Sequence, residues 1–233
     1  MSRSKALYQL QQIDSEIDHS RKRIAEIDSL LADDSTLQEA ERKEAVQQKQ
    51  LKEQGRKLKT AEDQVEDQEY KIERNKKKLY GGTVTNPKEL EDLQMEADAL
   101  GDYLSVLEDR QLEEMLAHEE AQQAYHSARK RLQEIQDEWD QKSRQWREEK
   151  AALENTIDRL KAQRKKQIQE IPEEDLKLYE RLRQSSGGVA AAALEGSSCT
   201  ACGSQVPSGL AQQAASPSQL AQCSTCGRIL HAR

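Results

Sequence analysis

Apolar positions along the chain fall into two long helical patterns separated by one turn. Leu10, Ile13, Ile17, Ser20, Ile24, Ile27 and Leu31 follow 3,4 spacing, the seam on which coiled-coil helices meet. Asp33-Asp34-Ser35 weakens or breaks that helix. The seam resumes at Leu51, Leu58, Val65, Ile72 and Leu79, seven residues apart, alternating with Gln54, Ala61, Gln68 and Asn75. This half is thinly packed; its polar seam residues cost stability and help fix register. A second pattern starts at Pro87 and runs through Leu90, Leu93, Ala97, Leu100, Leu104 and Leu107. It slips around Gln111, Glu114 and His118, where Leu112, Met115 and Leu116 are offset, as a stutter would produce. It recovers at Tyr125, Ala128, Leu132, Ile135, Trp139, Trp146, Leu153 and Leu160, with both tryptophans expected in the seam.

Between the two patterns, Gly81 or Gly82 can take the left-handed conformation that ends a helix. Asn86 can cap the next one, with Pro87 at its first position and Glu89 at its third, close to a capping box. A short loop between arms of similar length predicts antiparallel helices, each roughly 75–85 residues and on the order of 115–125 Å. The register places Leu10 opposite Leu160 and Leu79 opposite Leu90, in a rod with its tip at 81–87 and its base where both ends meet. Two chains dimerising in parallel would show the same periodicity. The adjoining stop and start signals favour the intramolecular hairpin.

Composition divides the chain again. Asp, Glu, Lys and Arg make up 34%, apolar residues 35% and aromatics 3%, with no Phe. Ordinary domains are nearer ~45–50% apolar and ~25% charged, so a large globular core and the Rossmann, barrel and sandwich folds are excluded. No uncharged run approaches the ~20 apolar residues of a membrane span. The N-terminal residues enter the charged pattern at once, so no secretory signal and a cytoplasmic location are expected. Residues 185–233 hold three charged groups, Glu195, Arg228 and Arg233, leaving 76 of 79 in the first 184 residues, with a net −8 there. All four cysteines lie in the weakly charged part. The chain is therefore expected to be mainly α, with a coiled-coil hairpin at 1–184 and a small C-terminal module of short strands at 185–233. The boundary falls at Ser185-Ser186-Gly187-Gly188.

Cys199-Thr200-Ala201-Cys202 and Cys223-Ser224-Thr225-Cys226 are two C-x-x-C pairs separated by residues 203–222, a zinc-binding spacing. Each pair can set two sulfurs ~2.3 Å from one ion, and two pairs complete a tetrahedron. Gly203 and Gly227 follow the pairs and can bend the chain so that backbone N–H groups point at sulfur. Disulfides do not suit a chain without a signal peptide, and a redox pair needs a βαβ setting. Four thiolates close the shell, which makes the single zinc structural rather than catalytic. His231 reads as a surface residue, since no ligand is missing. Strands are expected at 189–195 and near 220–222 and 228–231. The module has few large apolar residues against an ordering entropy of ~1–2 kcal/mol per residue, so a metal must supply what a core would.

Taken together, the hairpin and the cysteine tail resemble a bacterial family of coiled-coil hairpins followed by a C4-type zinc ribbon. The residues that carry the resemblance are Gly82-Thr83-Val84-Thr85-Asn86-Pro87-Lys88-Glu89-Leu90 at the tip, Cys199-x-x-Cys202-Gly203, and Cys223-x-x-Cys226-Gly227-Arg228-Ile229-Leu230. The resemblance implies zinc on Cys199, Cys202, Cys223 and Cys226, and a cytoplasmic, non-enzymatic interaction protein. Members are described as nucleic-acid-binding or regulatory, some linked to transcription factors or to motility and secretion machinery. Two features depart from the family pattern: the alanine run before Cys199, where bulkier β-branched residues are usual, and His231, where an aromatic is common.

Three functions follow as expectations. An adaptor would dock protein partners through the ribbon and the hairpin ends; Tyr80, Val84, Asn86 and Lys88 are its tip candidates, against a loop that merely turns. A nucleic-acid binder would need Lys and Arg near phosphates. Lys71, Arg74, Lys76, Lys77 and Lys78 supply these near the tip, and Lys161, Arg164, Lys165 and Lys166 near the base, followed by Arg181 and Arg183. The plain reading of these runs is a solvated helix face. The ribbon offers only Arg228 and Arg233 and no stacking aromatic. An enzyme is not expected, nor a small-molecule substrate or a membrane partner. There is no phosphate loop, no nucleophile signature and no apolar pocket, and the carboxylates lie on exposed helix faces.

Overall fold

A computed structural model describes residues 2–232; Arg233 lies outside the described residues. The chain is mainly helical, a long helical hairpin with a small C-terminal strand region that bears the cysteines. Helices α1 (Arg3–Ala32), α2 (Ser35–Tyr80), α3 (Pro87–Gln169) and α4 (Glu173–Ser185) precede β1 (Ala191–Glu195), β2 (Ser198–Cys199), α5 (Ser208–Ala215), β3 (Ala221–Gln222) and β4 (Ile229–Ala232). Two compact units result. One comprises residues 34–141, the other the residues up to Asp33 together with those from Lys142 onward.

In the unit of residues 34–141, α2 and the first part of α3 run antiparallel. Their register is set by two like rungs. The buried Gln68 amide donates to the Leu100 carbonyl at 3.0 Å. One heptad on, buried Asn75 donates to the Leu93 carbonyl at 3.3 Å and to Glu96 at 2.9 Å. Polar seam residues that look costly thus bond across the helix pair, each for a net ~0.5–1.5 kcal/mol. At the turn, Gly82 takes the positive φ of 71° while Gly81 stays at −78°. Asn86 caps α3, its side-chain oxygen accepting the Lys88 N–H at 3.1 Å.

One expectation fails in this unit. α3 shows no slip: Leu107 is buried, and Gln111, Glu114, His118, Ala121, Tyr125 and Ala128 continue at 3,4 spacing, half-buried. The seam has become polar rather than shifted, and Leu112, Met115 and Leu116 stand exposed. Close approach explains the tolerance. A Cβ on Gly55 of α2 would lie 3.6 Å from the His118 ring.

In the other unit, α1 packs against the last part of α3, α4 and the strands. The four-stranded sheet has the order β2-β1-β4-β3, with β1 parallel to β4 and the outer pairs antiparallel. It is covered on both faces. Ala191 and Ile229 turn toward Ala6, Leu7 and Leu10 of α1, with Ile171 and Tyr179. Their neighbours Ala192 and Leu230 turn toward Val206, Ala214 and the buried cysteines. The period-two alternation of a strand thus feeds two cores. Alanine in β1 lets helices close on both sides, where β-branched residues would hold them off.

This packing corrects the base register. Leu10 does not face Leu160. It joins the cluster with Ile171 and the sheet, while Leu160 packs with Ile17 and Ile157.

Polar groups lock the same elements. Asp14 of α1 is buried and accepts from Arg164 Nε of α3 at 2.7 Å and from the Tyr179 hydroxyl of α4 at 2.9 Å. Arg183 lies beside it, paired with Asp18. Burial and the Asp14 carboxylate push the Tyr179 phenol well above its ordinary range, so it stays a donor. Arg3 forms a two-pronged ion pair with buried Asp175 and donates to the Ser218 carbonyl at 3.0 Å.

Candidate metal centre

Two turns of the same build carry the cysteines. Cys199 N–H donates to the Ser204 carbonyl (3.0 Å) and Gly203 N–H to the Cys199 carbonyl (2.8 Å). Cys223 N–H donates to the Arg228 carbonyl (2.9 Å) and Gly227 N–H to the Cys223 carbonyl (2.8 Å). Gly203 and Gly227 take φ of 73° and 71°, where a side chain would be strained. The glycines thereby close each loop and leave the N–H groups of Ala201 and Cys202 to face the Cys199 sulfur. β2 fixes Cys199 by pairing with Leu194 in the sheet, and the end of β3 delivers Cys223.

The four Sγ atoms all lie within 4.8 Å of one another. Cys199–Cys226 is 3.9 Å and Cys202–Cys223 3.8 Å, so the close partners come from opposite turns. Cys199 and Cys223 are buried, Cys226 half-buried and Cys202 exposed. Burial pushes the Cys199 thiol up to about 11. The Ser204 hydroxyl and N–H pull Cys202 down to about 6. The four sulfurs can hold one metal ion: their separations suit a shared centre, and backbone donors stand ready to stabilise thiolate charge.

The centre is clasped to α1. The Gln11 side-chain oxygen accepts the N–H groups of Ala190 (2.6 Å) and Ala191 (3.3 Å), and its amide donates to the Gly188 carbonyl (2.9 Å). Arg228 straps the entry to β1 through the carbonyls of Val189 (2.8 Å) and Ser186 (2.9 Å). His231 is not a surface residue. It is half-buried, stacks on Tyr8 at 5.2 Å and meets Ser4 Oγ through Nδ1 at 3.2 Å. Its place is a joint between β4 and α1.

The family described as CT398-like coiled coil hairpin domain matches residues 10–187. The chain belongs to that family. Among solved structures, CT398 from Chlamydia trachomatis is similar, with a TM-score of 0.67 and 17% identity over 99% of this chain and 98% of that one. A Mycobacterium smegmatis protein is similar at a TM-score of 0.65 and 22% identity, over 100% of both chains. At these identities the two likenesses establish the fold of this CT398-like chain. No curated protein matches it in sequence.

The other sequence candidates are dispersed. At the turn Tyr80, Asn86 and Lys88 are exposed and Val84 half-buried; Asn86 is engaged as a cap. Lys71, Arg74, Lys76 and Lys78 are exposed, and Lys77 is paired with Glu73 at 2.7 Å. In the other unit Lys165 and Lys166 are exposed, Lys161 pairs with Asp158 at 3.1 Å, and Arg164 and Arg183 belong to the Asp14 cluster. Sequence reasoning missed Gln11, Ser4 and Arg3. Their signal is polar residues on the inner face of α1, beside Leu7 and Leu10.

Proposed function

We propose that this protein is a non-enzymatic, zinc-dependent adaptor that docks protein partners through its ribbon and its hairpin ends, in the cytoplasm. The observation that carries the reading is the cysteine cluster on a sheet wedged against α1. Zinc–sulfur arms of ~2.3 Å require tetrahedral edges of about 3.8 Å, which is the spacing of the two close sulfur pairs. Cys199, Cys202, Cys223 and Cys226 would be the ligands, leaving no open position for catalysis. Bound zinc would make the turns rigid, and Gln11 and Arg228 would pass that rigidity to the end of the hairpin. Such a surface is suited to holding a protein, of the transcription, secretion or motility machinery that the family resemblance implies, rather than to transforming a substrate.

A second reading, nucleic-acid binding, is favoured by one observation. Lys71, Arg74 and Lys78 line a cleft of about 220 Å³ on α2 and α3. Affinity capture from native cells with nuclease treatment distinguishes the two. Protein partners that survive nuclease and disappear with Cys199→Ser/Cys202→Ser support the adaptor. Recovered RNA or DNA, lost when Lys71, Arg74 and Lys78 become Ala, overturns it.

A further inference from the structure

Exposed apolar side chains gather on one segment of α3. Met95, Tyr103, Val106, Leu112, Met115 and Leu116 are six of the ten exposed large apolar residues among the described residues, and all fall within residues 95–116. The surrounding sequence is acidic. Residues 95–120 carry nine carboxylates and one guanidinium, a net −8, whereas the whole chain sums to −7. The combination is unusual for a solvated helix face, which needs no leucine, and for a seam, which would bury it.

The order along the face is regular. Glu108 and Asp109 are followed by Leu112, then Met115 and Leu116, then Glu119 and Glu120, at steps of three and four residues. Residues so spaced share one helix face. Leu112, Met115 and Leu116 are 57%, 47% and 63% exposed. None of the four bracketing carboxylates enters an ion pair among the described residues. The face is thus an apolar patch with a pair of unpaired carboxylates one turn to either side.

We infer that this face of α3 docks a cationic amphipathic helix of a partner protein. Its apolar residues would cover Leu112, Met115 and Leu116, and its Lys or Arg one turn away on each side would meet the carboxylate pairs. Charge decides among occupants. Nucleic acid and anionic lipid are repelled by the −8. A second copy laid stripe on stripe would set carboxylates against carboxylates. A basic helix satisfies both the apolar and the charged groups, with charge steering its approach. The inference rests on the adaptor reading and places a partner site outside the ribbon and the hairpin ends.

The test uses the full chain and two synthetic Leu/Lys peptides of equal composition. One has leucines at i, i+3, i+4 and i+7, and the other has them scattered. The amphipathic peptide is expected to bind at least about tenfold more tightly by fluorescence anisotropy. Leu112→Gln/Leu116→Gln should weaken it at least about tenfold, with helicity unchanged because both positions are exposed. Glu108→Gln/Asp109→Asn/Glu119→Gln/Glu120→Gln should weaken it likewise and remove its salt dependence. Equal binding of the two peptides, or an affinity indifferent to the leucine substitutions, overturns the proposal. Self-association that the leucine substitutions abolish, with no peptide competition, replaces the partner by a second copy. Cys199→Ser/Cys202→Ser separates the two readings. Peptide binding that persists while ribbon-dependent capture fails faults only the ribbon reading, and the reverse faults only this one.

Discussion

Gln11→Ala should detach the sheet from the helix it rests on. The side chain is buried and serves three backbone groups: the N–H of Ala190, the N–H of Ala191 and the carbonyl of Gly188. Ala190 and Ala191 are buried, so water cannot take over. A buried polar group left unpaired costs about 1–3 kcal/mol, and two donors share one acceptor here, which puts the loss at about 2–4 kcal/mol. Amide hydrogen exchange reads it directly. The Ala190 and Ala191 amides should exchange about 30-fold faster or more, since 1.4 kcal/mol is tenfold in an opening equilibrium. Gln11→Glu keeps an acceptor but loses the donor to Gly188, so it should recover part of the protection. A loss below about 0.5 kcal/mol, the scale of an ordinary surface substitution, would refute the clasp.

Other outcomes follow from the same packing. Tyr179→Phe removes the hydroxyl that serves buried Asp14 and should cost about 1–2 kcal/mol in urea denaturation, whereas no loss would make that bond incidental. Gly55→Ala should stabilise the protein by about 0.5–1 kcal/mol, because the added methyl meets the His118 ring at ordinary contact distance in a helix interior; a lower melting temperature would contradict the spacing. Chelation should loosen the turns around Cys199 and Cys223 and leave the far-UV helix signal of α1, α2 and α3 in place. Collapse of that signal would show that the helices depend on the metal.

Periodicity made the hairpin legible because a seam repeats over many residues, and the Gly-Gly turn and Asn86 cap marked where it reverses. Where the seam turned polar the pattern misled. Gln111, Glu114 and His118 occupy seam positions, so exposed Leu112, Met115 and Leu116 seemed to carry the phase. The cysteine cluster was legible because C-x-x-C spacing restricts local geometry by itself. Its setting was not. α5, residues Ser208–Ala215, has no charged residue and too few turns for a periodic signal, and β2 is two residues long. The small β1 alanines signal a weak strand in isolation and a tightly covered one once α1 is placed over them. His231 could not be located without Tyr8 and Ser4, more than two hundred residues away in sequence.

Metal content of the purified full chain, measured together with thiol reactivity, tests most directly the proposal that Cys199, Cys202, Cys223 and Cys226 hold one zinc ion. One zinc per chain is expected, with all four cysteines unreactive toward a thiol reagent until a chelator is added, and with the zinc lost in Cys199→Ser/Cys202→Ser. Four thiols that react freely before chelation, or a chain isolated and refolded with zinc that retains none, would contradict the account.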